Sequence, residues 1–400
     1  MTDPASSVDE HRSRVLEGVR ALDPEVVPLP DALGRVLAAD VAATLSVPPF
    51  DHAAMDGFAV RSADVAAVPV SLPVTGAVAA GDTVTPLAPG TAVRIMTGAP
   101  VPPGADLVVP FEWTSGTDPV EVRERADAGR HIRFEGEDVR AGEAALAAGV
   151  RLGPAQLGLL TSVGATSVAV RPRPRLAVLS TGAELVEGHV PDSNSPTLLA
   201  AGRCAGADAA AFGPAPDDVA GFRTLLSAAA EAADVVVTTG GISAGDHDVV
   251  KAALRDDPAF WFGPVAMKPG RPQGCGVLVA SDGRRVPVVT LPGTPIAAYA
   301  AFLLYVVPLL HALAGSSWRP VTAPLATEVR AAGRTVLLPA VVDDVSGAVS
   351  PLPGHAGHSQ RLLAAADALL VVPPSDRVVP EGTTVEVLAL HPLLQEGLHG

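Results

Sequence analysis

The spacing of apolar residues changes period several times along the chain. Near the start, Ser7-x-x-Glu10 has the form of a capping box. Behind it, Val8, Val15, Leu16 and Val19 recur at helical spacing, which predicts a helix. A second, shorter helical pattern covers residues 31–39 after Pro30. From about 46 to 138 the texture becomes short apolar runs cut by glycine and proline, at 57–60, 93–96, 106–109 and 120–123. That punctuation predicts a β-rich module. Residues 152–163 are helical again, with Pro154 early and Gly164 in the stop position.

Arg171-Pro-Arg-Pro-Arg175 follows. Alternating prolines favour a stiff extended spacer, hence a domain boundary, and a basic ligand patch is the other reading. Beyond it, unbroken apolar runs at 176–179, 209–212, 235–237, 265–267, 276–279 and 286–291 read as strands. Helical stretches lie between them near 197–206, 218–232 and 248–255, and a long one starts at Pro295. Strands without polar alternation are buried on both faces, so this part predicts an α/β fold, a doubly wound and largely parallel sheet. Residues 296–314 carry no formal charge and nearly reach bilayer length. They follow a tight Pro292-Gly293 turn, contain Pro308 and lack a flanking basic cluster, so a buried or interface helix is expected rather than a membrane span. After Trp318, short runs at 336–342, 368–372 and 384–388 predict a small C-terminal β domain. The expected organisation has four parts: a helical segment from 1–45 plus 139–172, an inserted β-rich lid at 46–138, the α/β domain at 173–316, and the β domain at 317–400.

Composition narrows the function classes. With 400 residues, 48% apolar and 18% charged, the chain has several cores and is not generally disordered. A net charge of −15 argues against nucleic acid or an anionic membrane as partner. Any anionic ligand then needs a local positive site. Two distant cysteines without a CxxC fit a reducing compartment, and the polar start lacks an apolar signal core, so a cytoplasmic location is expected. Among 28 basic residues only Lys251 and Lys268 are lysines.

Ligands of a parallel sheet gather at the carboxyl ends of its strands. Three loops at such ends look specialised: Ser180-Thr181-Gly182-Ala183-Glu184, the run from Thr239 through Gly240, Gly241, Ser243 and Gly245 to Asp248, and Pro292-Gly293-Thr294-Pro295. Glycine amides and hydroxyls there suit an anion. Glu184, Asp246 and Asp248 would repel it unless a divalent cation intervenes, and Mg2+ takes carboxylates together with phosphate oxygens. A helix N-cap is the other reading of Asp246. Direct positive charge would come from Lys268 and Arg271 in Met267-Lys268-Pro269-Gly270-Arg271-Pro272, with a solvated surface pair as the plainer reading. No GxGxxG follows the first strand, and neither a P-loop nor a GxSxG elbow occurs.

These motifs stand beside Pro49-Phe50-Asp51-His52-Ala53-Ala54-Met55-Asp56-Gly57-Phe58-Ala59-Val60, Arg94-Ile95-Met96-Thr97-Gly98-Ala99-Pro100 and Gly136-Glu137-Asp138. In that order the set resembles the molybdopterin molybdenumtransferases, the molybdenum insertases, over nearly the whole chain. The resemblance implies the same four-part layout and a homodimer with a composite active site, the lid of one subunit over the α/β site of the other. It implies Mg2+-dependent insertion of molybdate into adenylylated molybdopterin with release of AMP, and a transient contact with a molybdopterin adenylyltransferase. By position, Asp56, Thr97 and Asp138 would be lid residues facing the partner's site. Glu184, Ser243 and Asp248 would bind pterin phosphate, adenylate or metal. Lys268 and Arg271 would hold molybdate, together with Ser359 from the last domain.

The chain departs from the family pattern at several positions. Ala183 stands where the family loop has aspartate, Arg271 where it has a second lysine, Thr294 where its turn has asparagine, and Ala297 where a serine is usual. The lid motif reads Asp-His-Ala-Ala-Met-Asp-Gly-Phe in place of Asp-Asn-Ser-Ala-Met-Asp-Gly-Tyr. The alternative to an active insertase is a non-catalytic paralogue that binds molybdopterin or scaffolds partners.

Overall fold

The computed structural model describes residues 4–242, 248–354 and 359–390, the side chain of Glu184 excepted. The chain forms two compact units, Val26–Val170 and the remainder, Met1–Glu25 with Arg171–Gly400.

In the unit 26–170, a four-stranded sheet runs in the order Val74–Val78, Ala92–Ile95, Gly57–Val60, Leu107–Pro110. Phe58, Val60, Leu107, Val109 and Val120 are buried in its core. Gly57 is required where it stands, because a Cβ there would overlap the Val109 carbonyl. The helical pattern at 31–39 is shorter in the structure, a 3-10 turn at Leu29–Ala32. Gly34 then takes a φ of 75°, and Val36 and Leu37 bridge to Arg151 and Val170 in extended form.

The other unit opens with α1 (Val8–Leu16), whose capping box is formed as expected: Ser7 Oγ accepts from Glu10 N–H while the Glu10 carboxylate accepts from Ser7 N–H. The α/β sheet has strands β1 (Arg175–Ser180), β2 (Asp208–Ala211), β3 (Val235–Thr239), β4 (Phe260–Pro264), β5 (Pro272–Val279) and β6 (Arg285–Leu291). Their order is β2-β1-β3-β6-β5-β4. The first four are mutually parallel, β5 is antiparallel to β6, and β4 is antiparallel to β5. Helices α2 (Asn194–Cys204), α3 (Val219–Ala232) and α4 (Val249–Leu254) connect and cover the strands. Central strands β1, β3 and β6 are buried almost throughout, which explains their unbroken apolar runs.

The long apolar helix α5 spans Pro295–Leu313, long and apolar enough to cross a membrane, yet 83% of it is buried inside this unit. It is an α-helix interrupted by a π segment at Phe302–Val306. Pro308 has no N–H for the Leu304 carbonyl, and Arg12 Nε of α1 donates to that carbonyl at 3.1 Å. A second sheet has six strands, in the order Met267–Lys268, Thr335–Val342, Ala368–Val372, Thr384–Ala389, Val321–Pro324, with Val349–Pro351 paired to Thr335–Val342 beside that path. The strand expected at 265–267 is therefore not a member of the α/β sheet. Met267 and Lys268 pair in parallel with Thr335 and Val336, and Thr335 N–H donates to Ala266 O at 2.9 Å. The return that bonds Val265 N–H to Arg271 O brings the chain back to the α/β sheet only at Pro272, where β5 begins.

Candidate functional site

Strands β1, β3 and β6 end level with one another, Ser180 opposite Thr239 and Thr239 opposite Leu291. Their three loops are locked together. Thr181 N–H donates to Thr239 O at 3.0 Å and Gly240 N–H to Leu291 O at 3.1 Å. Gly240 has φ 92°, and a Cβ on it would stand 2.8 Å from the Thr181 carbonyl oxygen. Gly293 approaches Gly240 so closely that its own Cβ would meet Gly240 Cα at 3.3 Å. Gly240 and Gly293 thus allow three backbones to converge at one point, on the edge where the sequence led us to expect the loops carrying Thr181, Gly182, Gly240, Gly241, Pro292 and Gly293.

A fourth segment, missed in the sequence, ties this edge together. The Asn194 amide donates to Thr239 Oγ1 at 2.9 Å and to Gly293 O at 2.8 Å, while the Thr239 hydroxyl donates to Pro292 O at 2.9 Å. Asp192 accepts from the N–H groups of Asn194 and Ser195, both at 3.0 Å, and from the Ser195 hydroxyl at 2.6 Å. Burial pushes the Asp192 carboxyl up, but these bonds and the Ser180 hydroxyl outweigh it and hold it below the usual range. The available signal was Asp192-x-Asn194-Ser195 directly before a helix.

Ala183 opens the short helix Ala183–Val186 that also carries Glu184, and its N–H donates to the Asp217 carboxylate at 2.8 Å. The turn that lacks an acid at position 183 therefore holds one from the β2–α3 connection. Asp248 stands at the N-cap position of α4 without a capping bond from its side chain, and its Oδ2 is shielded from solvent. Ser243, Gly245 and Asp246 lie outside the described residues, and among the described residues no group of three His, Cys, Asp or Glu side chains is arranged to hold a metal ion.

Lys268 and Arg271 are exposed, while Met267 and Gln273 flanking them are buried. Gly270 between the two cations has φ 95°, and a Cβ there would lie 3.7 Å from Ala297 Cβ in the first turn of α5. The cationic turn therefore abuts the helix that leaves the Pro292-Gly293 loop. The Ser359 hydroxyl caps the helix Gln360–Ala364, and the neighbouring Gln360 amide donates to Ser193 Oγ at 2.9 Å.

In the unit 26–170, Asp56 and Thr97 are brought together. Asp56 Oδ1 accepts from the Thr97 hydroxyl and N–H, both at 2.7 Å. The hydroxyl bond first, then the amide bond, holds the Asp56 carboxyl below its ordinary range. Asp138 lies on a separate turn, where its N–H donates to Val47 O at 3.0 Å. At the amino end of β1, a cleft of about 600 Å³ is lined by Arg173, Arg175 and Arg203. Arg175 is bonded to Asp234 at 2.6 and 3.1 Å, and Arg203 to the Ala209 carbonyl at 3.2 Å, so these two brace the fold.

Comparison with known proteins places the whole chain. Residues 6–164 match the MoeA N-terminal region (domain I and II), 177–312 a probable molybdopterin binding domain, and 322–390 the MoeA C-terminal region (domain IV). Molybdopterin molybdenumtransferase 2 of Mycobacterium tuberculosis is 42% identical, over 95% of this chain and 98% of the relative. Molybdopterin molybdenumtransferase 1 of the same organism is 36% identical, over 96% and 99%. The crystal structure of the molybdopterin biosynthesis MoeA protein from Pyrococcus horikoshii OT3 superposes with a TM-score of 0.81 at 26% identity, over 96% of this chain and all of that one.

Proposed function

The chain belongs to the molybdopterin molybdenumtransferase family, and from that premise we propose that it inserts molybdate into adenylylated molybdopterin, releasing AMP, with Mg2+ required. The carrying observation is the joint between three glycine-bearing strand ends and the Lys268–Arg271 turn: Gly240 against Thr181 and Gly293, and Gly270 against Ala297. This edge offers backbone N–H groups and hydroxyls for phosphate oxygens. Lys268 and Arg271 supply local positive charge for an oxyanion in a chain of net charge −15. Both substrates of the reaction are anions, so one edge with both donor sets suits their meeting.

In this reading Asp248, with Glu184 and Asp246, holds Mg2+, which would offset charge building on the phosphate oxygens. Ser180, Thr181, Gly182, Gly240, Gly241, Ser243, Gly245, Pro292 and Gly293 cradle the phosphates, and Lys268, Arg271 and Ser359 hold molybdate. Asn194 keeps the β3 and β6 loops in register, and Asp217 serves the turn in which Ala183 replaces an acid. Asp56, Thr97 and Asp138 act in a composite site of a homodimer, and a transient contact with the adenylyltransferase delivers the pterin. Catalysis is mostly positioning: the oxyanion is presented to the dithiolene end of the pterin while the adenylate is held still.

Titration of molybdate into the wild-type chain and into Lys268→Ala tests the reading. Removing the point charge should weaken molybdate binding at least tenfold, the scale of a charged hydrogen bond worth roughly 1.5–3 kcal/mol, with an unchanged melting temperature. Equal affinity in a folded Lys268→Ala protein would remove Lys268 from the oxyanion site.

A further inference from the structure

Gln273 is 1% exposed, the second residue of β5, and follows the cationic turn by two positions. Its Nε2 donates to the Gly270 carbonyl at 2.8 Å and lies 3.9 Å from Met267 Sδ. Its Oε1 is buried and has no hydrogen-bond partner among the described residues. The amide cannot be turned to relieve this, because the Gly270 carbonyl requires a donor. An apolar side chain of the same length would remove the stranded Oε1 but leave the Gly270 carbonyl without this donor, so the amide serves that carbonyl while its own Oε1 goes unmet. Met267 is pinned as well: the Tyr305 hydroxyl, from the π segment of α5, lies 3.2 Å from its sulfur.

We propose that Gln273 is a positioning residue for the oxyanion-holding turn, with Tyr305 supporting it through Met267. The inference rests on the reading of Lys268 and Arg271 as the molybdate site. Gly270 has φ 95° and links the two cationic residues, so its backbone sets how they diverge. Drawing the Gly270 carbonyl inward turns the other end of the same trans peptide, the Arg271 N–H, outward. The outer side of the turn then presents that N–H together with the exposed Lys268 and Arg271 side chains. Gly270 makes this possible, since its Cβ would press at 3.2 Å on Met267 Cε and at 3.3 Å on Gln273 Nε2. Behind the turn, Val265 N–H bonds Arg271 O at 2.7 Å and Ala266 N–H bonds Ser6 O at 2.7 Å, so its ends are already anchored. Gln273 sets the middle.

The test compares molybdate affinity, by titration calorimetry, with melting temperature in the full-length wild type, Gln273→Met and Tyr305→Phe. Methionine keeps the length and removes both the donor and the stranded acceptor. The expected result is a dissociation constant for molybdate raised about tenfold in Gln273→Met, with the protein still folded at the titration temperature. Tyr305→Phe should raise it in the same direction by about threefold. A folded Gln273→Met protein with wild-type affinity would overturn the positioning role while leaving Lys268 and Arg271 as the oxyanion site. If Gln273→Met does not fold, Tyr305→Phe decides: wild-type affinity overturns the role, and weakened affinity supports it. A wild-type chain that binds no molybdate would overturn the oxyanion reading and this inference with it.

Discussion

His11 lies fully buried on α1, its ring 5.1 Å from that of Trp261 and 4.6 Å edge-on from that of Tyr305. Neither ring nitrogen has a hydrogen-bond partner among the described residues. Burial, assisted by the Arg14 charge, lowers its pKa to about 3 from an ordinary 6.5. Between those values the unfolded chain takes up a proton that the folded chain refuses, so stability is lost as pH falls below about 6.5. From pH 7 to pH 5 this one group should cost about 1–2 kcal/mol. Urea unfolding at both pH values should show that loss shrink by a similar amount in His11→Phe, which keeps the ring contacts. Equal losses in the two proteins would mean that His11 protonates without penalty. The same residue scale shows what a sequence conceals. Thr181, Gly240, Gly293, Lys268 and Arg271 were legible because glycines, hydroxyls and rare lysine at strand ends are locally unusual. Asn194, Asp192, Asp217 and Gln273 were not, since a polar residue looks the same in a loop whether solvent or a neighbouring backbone meets it.

At the scale of elements, α5 shows how a break is repaired from outside. Pro308 cannot donate to the Leu304 carbonyl, and Arg12 does so while its guanidinium lies 4.9 Å from the Trp318 ring and 3.8 Å from Glu386. Arg12→Met should destabilise the protein by about 1–3 kcal/mol, the cost of an unsatisfied buried carbonyl. Pro308→Ala returns an N–H to that position, so in its background the same substitution should cost about 1 kcal/mol less. Additive losses in urea unfolding of the four proteins would show that Leu304 is not the link. The pattern made α5 visible as one long apolar helix, and its flanks pointed to the buried setting that the structure shows. The π segment was hidden, because the apolar run at Phe302–Val306 looks the same in a π turn as in an α-helix. The same holds for Met267–Lys268: two residues have too little pattern of their own to reveal a partner strand at Thr335.

For the molecule as a whole, the central strands of the doubly wound sheet announced themselves through unbroken apolar runs. At the antiparallel edge the run at 276–279 was read as a strand, within β5, but its direction was not, and β4 was missed, because an edge strand such as Phe260–Pro264 is only partly buried and mixes glycine and proline with aromatics. Asp56 and Asp248 belong to different compact units, and the proposed homodimer gives both a role in one reaction. Mixing inactive Asp56→Ala and Asp248→Ala chains should restore part of the wild-type turnover, because one site in each mixed dimer would combine two intact halves. No recovery after confirmed subunit exchange would contradict a shared site. The most direct measurement is AMP release from adenylylated molybdopterin by the wild-type chain, with and without molybdate and with magnesium present or chelated. Release in step with formation of the molybdenum cofactor is expected when both ions are present, and little without either. Tight binding of the adenylylated pterin with no AMP above the enzyme-free rate would contradict it and mark the chain as a non-catalytic paralogue.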